Sequence, residues 1–280
     1  VESIHDYDVL LVNLFSGMRH VEQIKSAGYE GTVVAIPDSC FNDMFRQNNP
    51  LGGIFLKQLQ TADVLGVVSE SNRRFYGAML DKPTIHIPHP IGTAAFFDAE
   101  RQAERKARIL ITRHTDSGHR RPLDYDLPTI ATAGIIQRET GLPIVYISAD
   151  ESAKSYCDQL GLVVSYLPQM VYEDYVRISA RSYIGVDMYA IHGVGRNEIT
   201  WAYAGLPFVA GNYTDGVGGN RFDPWNVEGA ARYGISLVTH RVLYERIQQT
   251  NLKTAASQYT FVQVASQMTR EIEVIAHVKR

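Results

Sequence analysis

The residues with the most chemistry to offer are the two glycines of Gly193-Val194-Gly195, because they open directly into a helix. Arg196 to Ala204 has the composition of a short helix, Gly205 stands where a left-handed C-terminal cap belongs, and Pro207 prevents further helix. Tyr183 to Val186 before the loop and Phe208 to Ala210 after the turn are short apolar runs suited to buried parallel strands. Strand, glycine loop, helix, turn, strand places a helix N-terminus outward from the carboxyl end of a sheet. Its unpaired N–H groups and partial positive charge suit a phosphate. An ordinary helix connection with glycines for close packing satisfies the same residues, since Gly-x-Gly alone has low specificity.

The elements that must position this stretch run through the whole chain. Asp8 to Leu14, Thr32 to Ile36, Asp63 to Val68 and Pro83 to Ile87 read as strands with helical segments between them, and Ser69-Glu70-Ser71 caps one of those helices. The charged segment Asp98 to Lys106 reads as a linker or exposed helix. A second alternating series comes next, with strands at Ile109 to Thr112, Pro143 to Ile147 and Leu162 to Tyr166. Its helices fall at about Asp126 to Thr140, Glu151 to Leu160 and Val171 to Ala180. Gly211 to Asn226 reads as a long loop, and helices are expected over Val227 to Tyr233, Thr239 to Thr250 and Thr254 to His277. Strict alternation of this kind makes two Rossmann-like parallel-sheet units. The expected domains are 1–97, 107–252 and a helical segment 253–280.

Composition narrows the classes. A chain of 280 residues buries a large core. A formal charge of -3 supplies no global field for nucleic acid or an anionic membrane. Two cysteines, Cys40 and Cys157, in no metal-ligand spacing, fit a reduced cytoplasmic protein with buried thiols. No apolar run approaches the roughly 20 residues of a membrane helix.

Three stretches together resemble the retaining glycosyltransferases of GT-B fold, the family 4-like group 1 transferases that include sucrose synthases and bacterial mannosyltransferases. They are Ala62-Asp63-Val64 through Ser69-Glu70-Ser71 to Ile87-Pro88-His89-Pro90-Ile91 with Phe96 or Phe97 beyond; Ile109-Leu110-Ile111-Thr112-Arg113; and the glycine-loop stretch. Their order and spacing agree from about Asp8 to Val238. The resemblance implies two domains facing across a cleft, the first reduced, because the family's first strands and its glycine-rich closing loop have no counterpart. It implies transfer of a hexose from a nucleotide-diphosphate sugar to an acceptor hydroxyl with retention, with no cofactor and no metal. The last helix is expected to return to the first domain, covering it with Phe261, Val264, Met268, Ile272 and Ile275.

Site residues come from the same resemblance. Gly193, Val194 and Gly195 with the helix beginning at Arg196 are implied to hold the donor diphosphate. Arg113 is implied to neutralise it, assisted by one of His119, Arg120 and Arg121. The family's two glutamates fall here on His192, beside the transferred sugar, and Thr200, beside the nucleotide ribose. Neither is acidic. Glu198 is also assigned to the donor, but it lies about 200° around an ideal helix from Thr200, so it takes the ribose position only if the loop register slips. Asp38 stands where the family often has a histidine, and either acts on an acceptor hydroxyl or caps the next helix. The acceptor stays open among a glycan, a lipid carrier, a protein and a modified DNA base, and a homo-oligomer stays open too. Loss of both acidic positions equally suits a non-catalytic GT-B-like partner or scaffold. A different nucleotide or sugar-phosphate enzyme on the same frame is a third reading. Exposed aromatics around Phe41, Phe45 and Phe55 would favour the partner.

Overall fold

The computed structural model describes residues 3–14, 19–37, 52–92, 94–101, 104–113, 126–189, 196–212, 217 and 220–278. In chain order its elements begin with β1 (Val9–Leu14), α1 (His20–Ser26), β2 (Thr32–Pro37), α2 (Gly52–Thr61), β3 (Val64–Val67), α3 (Glu70–Leu80), β4 (Thr84–His86) and α4 (Ala94–Arg101). They continue with β5 (Ile109–Thr112), α5 (Leu127–Thr140), β6 (Ile144–Ile147), α6 (Glu151–Gln159), β7 (Val164–Leu167), α7 (Tyr172–Ala180), β8 (Ile184–Asp187) and α8 (Arg196–Tyr203). The chain closes with β9 (Phe208–Gly211), β10 (Arg221–Phe222), α9 (Val227–Thr239), α10 (Arg241–Gln258) and α11 (Phe261–Val278).

The strands form two separate parallel sheets, one of order β1-β2-β3-β4 and one of order β10-β9-β8-β5-β6-β7. The chain divides into two compact units, Val1–His89 with Phe261–Arg280, and Pro90–Thr260. In the first unit, Val12, Leu14, Val33, Ala35, Leu65 and Val67 make one face of the core with Phe55 and Leu59 of α2. On the opposite face Val34, Val64 and Ile85 are covered by Ile272 and Ile275 of α11. Val264 of that helix is also buried, but Phe261 is 59% exposed.

The second unit carries the glycine-loop stretch. All four residues of β5, β6, β8 and β9 are buried, as strands with both faces covered must be. Alternate side chains point to opposite faces. Ile109, Ile111, Ile144, Tyr146, Ile184 and Val186 pack against Ile130, Ala133 and Ile136 of α5 and Ala230 and Ala231 of α9. Leu110, Val145, Ile147, Phe208 and Ala210 pack against Val176 of α7 and Ile199 and Trp201 of α8. Trp201 lies on the bare backbone of Gly185, where an added Cβ would sit 2.5 Å from its ring.

Helix ends agree with the cap residues where these are local. Ser69 accepts from the Asn72 N–H at 3.1 Å, and Gly205 adopts φ +69° after α8. Four segments depart from the expected reading. The helix beginning at Val227 runs on to Thr239, with Gly234 and Leu237 buried. The next helix continues through Asn251 and Ala255, both fully buried, and breaks at Tyr259-Thr260. The break falls there because Tyr259 O accepts from Ile91 N at 2.7 Å and Thr260 bridges Ile91. The segment after Ala210, expected as a long loop, contains β10, paired to β9 through Arg221 and Ala210. The segment expected as linker or exposed helix carries α4, and Glu100 in it is 12% exposed at the side chain and pairs with Arg177.

Gly185→Ala tests how α8 is seated. The added methyl has no room under a fully buried indole, so overpacking costs about 1–3 kcal/mol. Both tryptophans, Trp201 and Trp225, lie in the second unit. Urea unfolding followed by tryptophan fluorescence therefore reads the loss directly, and an unchanged midpoint would mean that α8 is not held against β8.

Candidate functional site

The order of the larger sheet reverses direction at β5, from which the chain proceeds first through β6 and β7 on one side and then to β8 and β9 on the other. In open α/β sheets the crevice at the carboxyl ends of the strands beside such a reversal is where ligands bind. Here the crevice has a visible origin. The β5–β8 ladder stops at Leu110–Gly185. Beyond it β5 stays with β6 as far as Thr112–Ile147, and β8 stays with β9 as far as Asp187–Ala210. Thr112 and Asp187 are thus the two lips of a gap in the sheet.

The first turn of α8 closes that gap. Asn197 Nδ2 donates to Thr112 Oγ1 at 2.8 Å and to Asp187 Oδ2 at 3.2 Å. The Tyr175 hydroxyl of α7 donates to Asn197 Oδ1 at 2.9 Å. Burial first, and the neighbouring Asp187 carboxylate second, hold the Tyr175 phenol well above its ordinary pKa, so it remains a donor. The next residue, Glu198, is fully buried and paired with Arg221 Nη2 at 2.6 Å, while Arg221 Nη1 donates to Gly211 O at 3.0 Å. At the other end of the helix Arg105 donates to Ala204 O, Gly205 O and Ser182 O at 3.1, 2.7 and 2.9 Å. A guanidinium on the last carbonyls complements the negative end of a helix. At the positive end Arg196 is exposed.

Arg113 comes directly after Thr112, so it stands at the same end of the sheet as Arg196. Its side chain is 3% exposed, and its Nη2 lies 3.0 Å from Asp150 Oδ2 and its Nη1 3.5 Å from Asp126 Oδ2. Asp150 also caps α6, accepting from Ala153 N at 2.9 Å. A buried arginine between two carboxylates, one of them buried and the other largely so, is an ion cluster that the local fold depends on.

Of the other expected residues, Thr200 is 2% exposed and its hydroxyl meets the Tyr172 hydroxyl at 3.1 Å. Tyr172 itself is 41% exposed. The Glu198 carboxylate, expected at the donor, is fully buried and directed to Arg221. His192, Gly193, Val194, Gly195, Asp38, His119, Arg120 and Arg121 lie outside the described residues. Phe55 is buried, which removes it from the exposed aromatic surface that a partner would use; Phe41 and Phe45 lie outside the described residues. Cys157 is buried in the core. Among the described residues no group of three or more His, Cys, Asp or Glu could hold a metal ion, and no helix is long and apolar enough to cross a membrane.

Sequence reasoning missed Asn197, Asp187, Thr112, Tyr175, Asp126 and Asp150. One signal was available. Asp187 ends an otherwise apolar buried strand, and a carboxylate there requires partners.

No protein-family model matches the chain, and no curated protein matches it in sequence. Solved structures do match it. HepE of Anabaena, solved with UDP and glucose, superposes with a TM-score of 0.73 at 14% identity, over 96% of this chain and 79% of its own. Sucrose-phosphate synthase of Thermosynechococcus elongatus gives 0.69 at 12% identity, over 98% and 75%. A UDP-forming α,α-trehalose-phosphate synthase of Burkholderia xenovorans gives 0.68 at 10% identity, over 95% and 73%. At such identities the shared property is the fold, and that fold is GT-B-like, with two parallel-sheet α/β units.

Arg113→Ala should destabilise the second unit by about 3–5 kcal/mol, the range for removing one partner of a buried ion pair. Urea unfolding followed by tryptophan fluorescence measures it. A loss below about 1 kcal/mol, the value of an exposed pair, would show that the cluster is solvated in solution.

Proposed function

We propose that the protein is a glycosyltransferase that takes a nucleotide-diphosphate sugar as donor and passes its hexose to an acceptor hydroxyl. The observation that carries this reading is the outward N-terminal turn of α8 at the opened switch point of the second sheet, bearing exposed Arg196. The similar structures support it: HepE was solved with UDP and glucose, and the Burkholderia enzyme is described as UDP-forming.

In this reading the α8 N–H groups, Gly193, Val194 and Gly195 and the Arg196 side chain take the diphosphate. When the sugar–oxygen bond breaks, negative charge gathers on the departing phosphate. Fixed dipoles and cations stabilise that charge more in the transition state than in the ground state. Arg113 is assigned to the same site from the β5 lip, where it must give up part of its pairing with Asp126 and Asp150 to meet the diphosphate, with His119 or Arg120 completing the positive side. These cations perform the neutralisation, so the reading requires no divalent ion. His192 is assigned to the transferred sugar, Tyr172 and Thr200 to the nucleotide side, and Asp38 to the acceptor. Retention of configuration rests on the resemblance of the glycine-loop stretch to the retaining transferases, and the domain division 1–97, 107–252 and 253–280 belongs to the same reading. Action from the cytoplasm is part of the proposal, on the strength of cysteine usage.

The test is ligand-dependent stability. UDP-, GDP- and ADP-hexoses are added in turn, and thermal unfolding is followed by tryptophan fluorescence. A ligand at one hundred times its Kd should stabilise the folded protein by about 2.7 kcal/mol. One nucleotide is expected to act and the matching free nucleoside diphosphate to act with it, since most of the fixed contacts are to the phosphates. No shift with any of the three, confirmed by calorimetry, would overturn the transferase reading in favour of the scaffold.

A further inference from the structure

We infer that Asn197 is the positioning residue of the donor site: its amide, bridging Thr112 and Asp187 across the gap between β5 and β8, sets where the first turn of α8 stands. The inference rests on the donor-site reading above and adds to it a residue that touches no reacting atom.

The chemistry of the bridge is specific to an amide. One planar group must donate twice, to a hydroxyl on one lip and a carboxylate on the other, and accept once from a phenol on a third element. Aspartate cannot donate when ionised, and leucine of the same shape can do neither. Glutamine carries the same amide about 1.5 Å further out, one methylene longer, and would push α8 away from the sheet. The bridge also satisfies Asp187, which is 2% exposed and could not be left with fewer donors without cost. An eight-residue helix has little stability of its own, so its N-terminal N–H groups stand only where such ties put them. Displacement by about 1 Å is enough to spoil a site built on fixed dipoles.

Among the described residues, the charged and titratable groups at the bridge are Asp187 on β8 and Tyr175 on α7, with Arg196 preceding the amide in α8 and Arg113 following Thr112 on β5. Asn197→Asp therefore sets two carboxylates face to face. A pair so close shares a proton, with one member titrating well above the ordinary carboxylate range. Once protonated, the introduced carboxyl can donate to Asp187 as the amide did.

The experiment is calorimetric binding of UDP, GDP and ADP to the wild type, N197D and Thr112→Val, from about pH 8.5 to about pH 5. The Kd ratio of variant to wild type at each pH cancels the titration of the nucleotide itself. For whichever nucleotide the wild type binds, N197D should be weaker by about tenfold at the alkaline end and return to within about threefold at the acid end, the size expected for one lost and regained charge-assisted bond. T112V removes one lip acceptor without adding charge, and should weaken binding by a few-fold at every pH. An N197D ratio near one throughout overturns the inference, and so does a loss that acid does not restore, which is the signature of a merely structural residue. If N197D fails to fold, wild-type binding by T112V overturns it. If the wild type binds none of the three, the donor-site reading falls and the inference with it.

Discussion

Everything at the candidate site depends on seating one short helix, Arg196–Tyr203, against a sheet that has opened beneath it. A helix of two turns has almost no stability of its own, because nucleation consumes what few hydrogen bonds it makes. Tertiary ties replace that missing stability at three points. Asn197 and Glu198 fasten its first turn to the strands, Trp201 presses its middle onto Gly185, and Arg105 takes up its last carbonyls. The consequence is directional. The negative end of the helix is neutralised inside the protein, while Arg196 at the positive end is exposed.

The ties at the first turn are polar and mostly buried, which makes them demanding. Glu198 and Asp187 have almost no access to water, so each must find its donors within the fold. Arg113 with Asp126 and Asp150 presents the same problem beside the same gap. Such clusters contribute little net stability compared with well-packed apolar groups, but they tolerate no missing member. Their concentration at one end of one sheet fits a region built for placement of charge, because an apolar core would have served packing better.

The first unit supplies a contrast. Among the described residues its strands run in chain order without reversal, so they show no internal switch point. Its polar ties are structural: Gln58 accepts from Val21 N, and Asp63 accepts from Val33 N while pairing with Lys25.

What the sequence by itself determined is the set of local choices. Apolar runs of four to six residues, turn glycines, Ser69 as a cap and Gly205 as a left-handed stop are each decided within a few residues of chain, and strand alternation with helices then forces parallel sheets. The glycine-loop stretch was legible for the same reason. Tertiary structure alone decided which side chains meet. Asn197 lies 85 residues from Thr112, Glu198 lies 23 from Arg221, and Ile91 interrupts a helix near residue 259. No local pattern encodes those pairs, because a hydrogen bond across a sheet reversal depends on which strands the fold sets side by side. Arg113 shows the limit most plainly. Its position at a strand end could be read from the chain, but its burial between Asp126 and Asp150 depended on where two later segments came to rest.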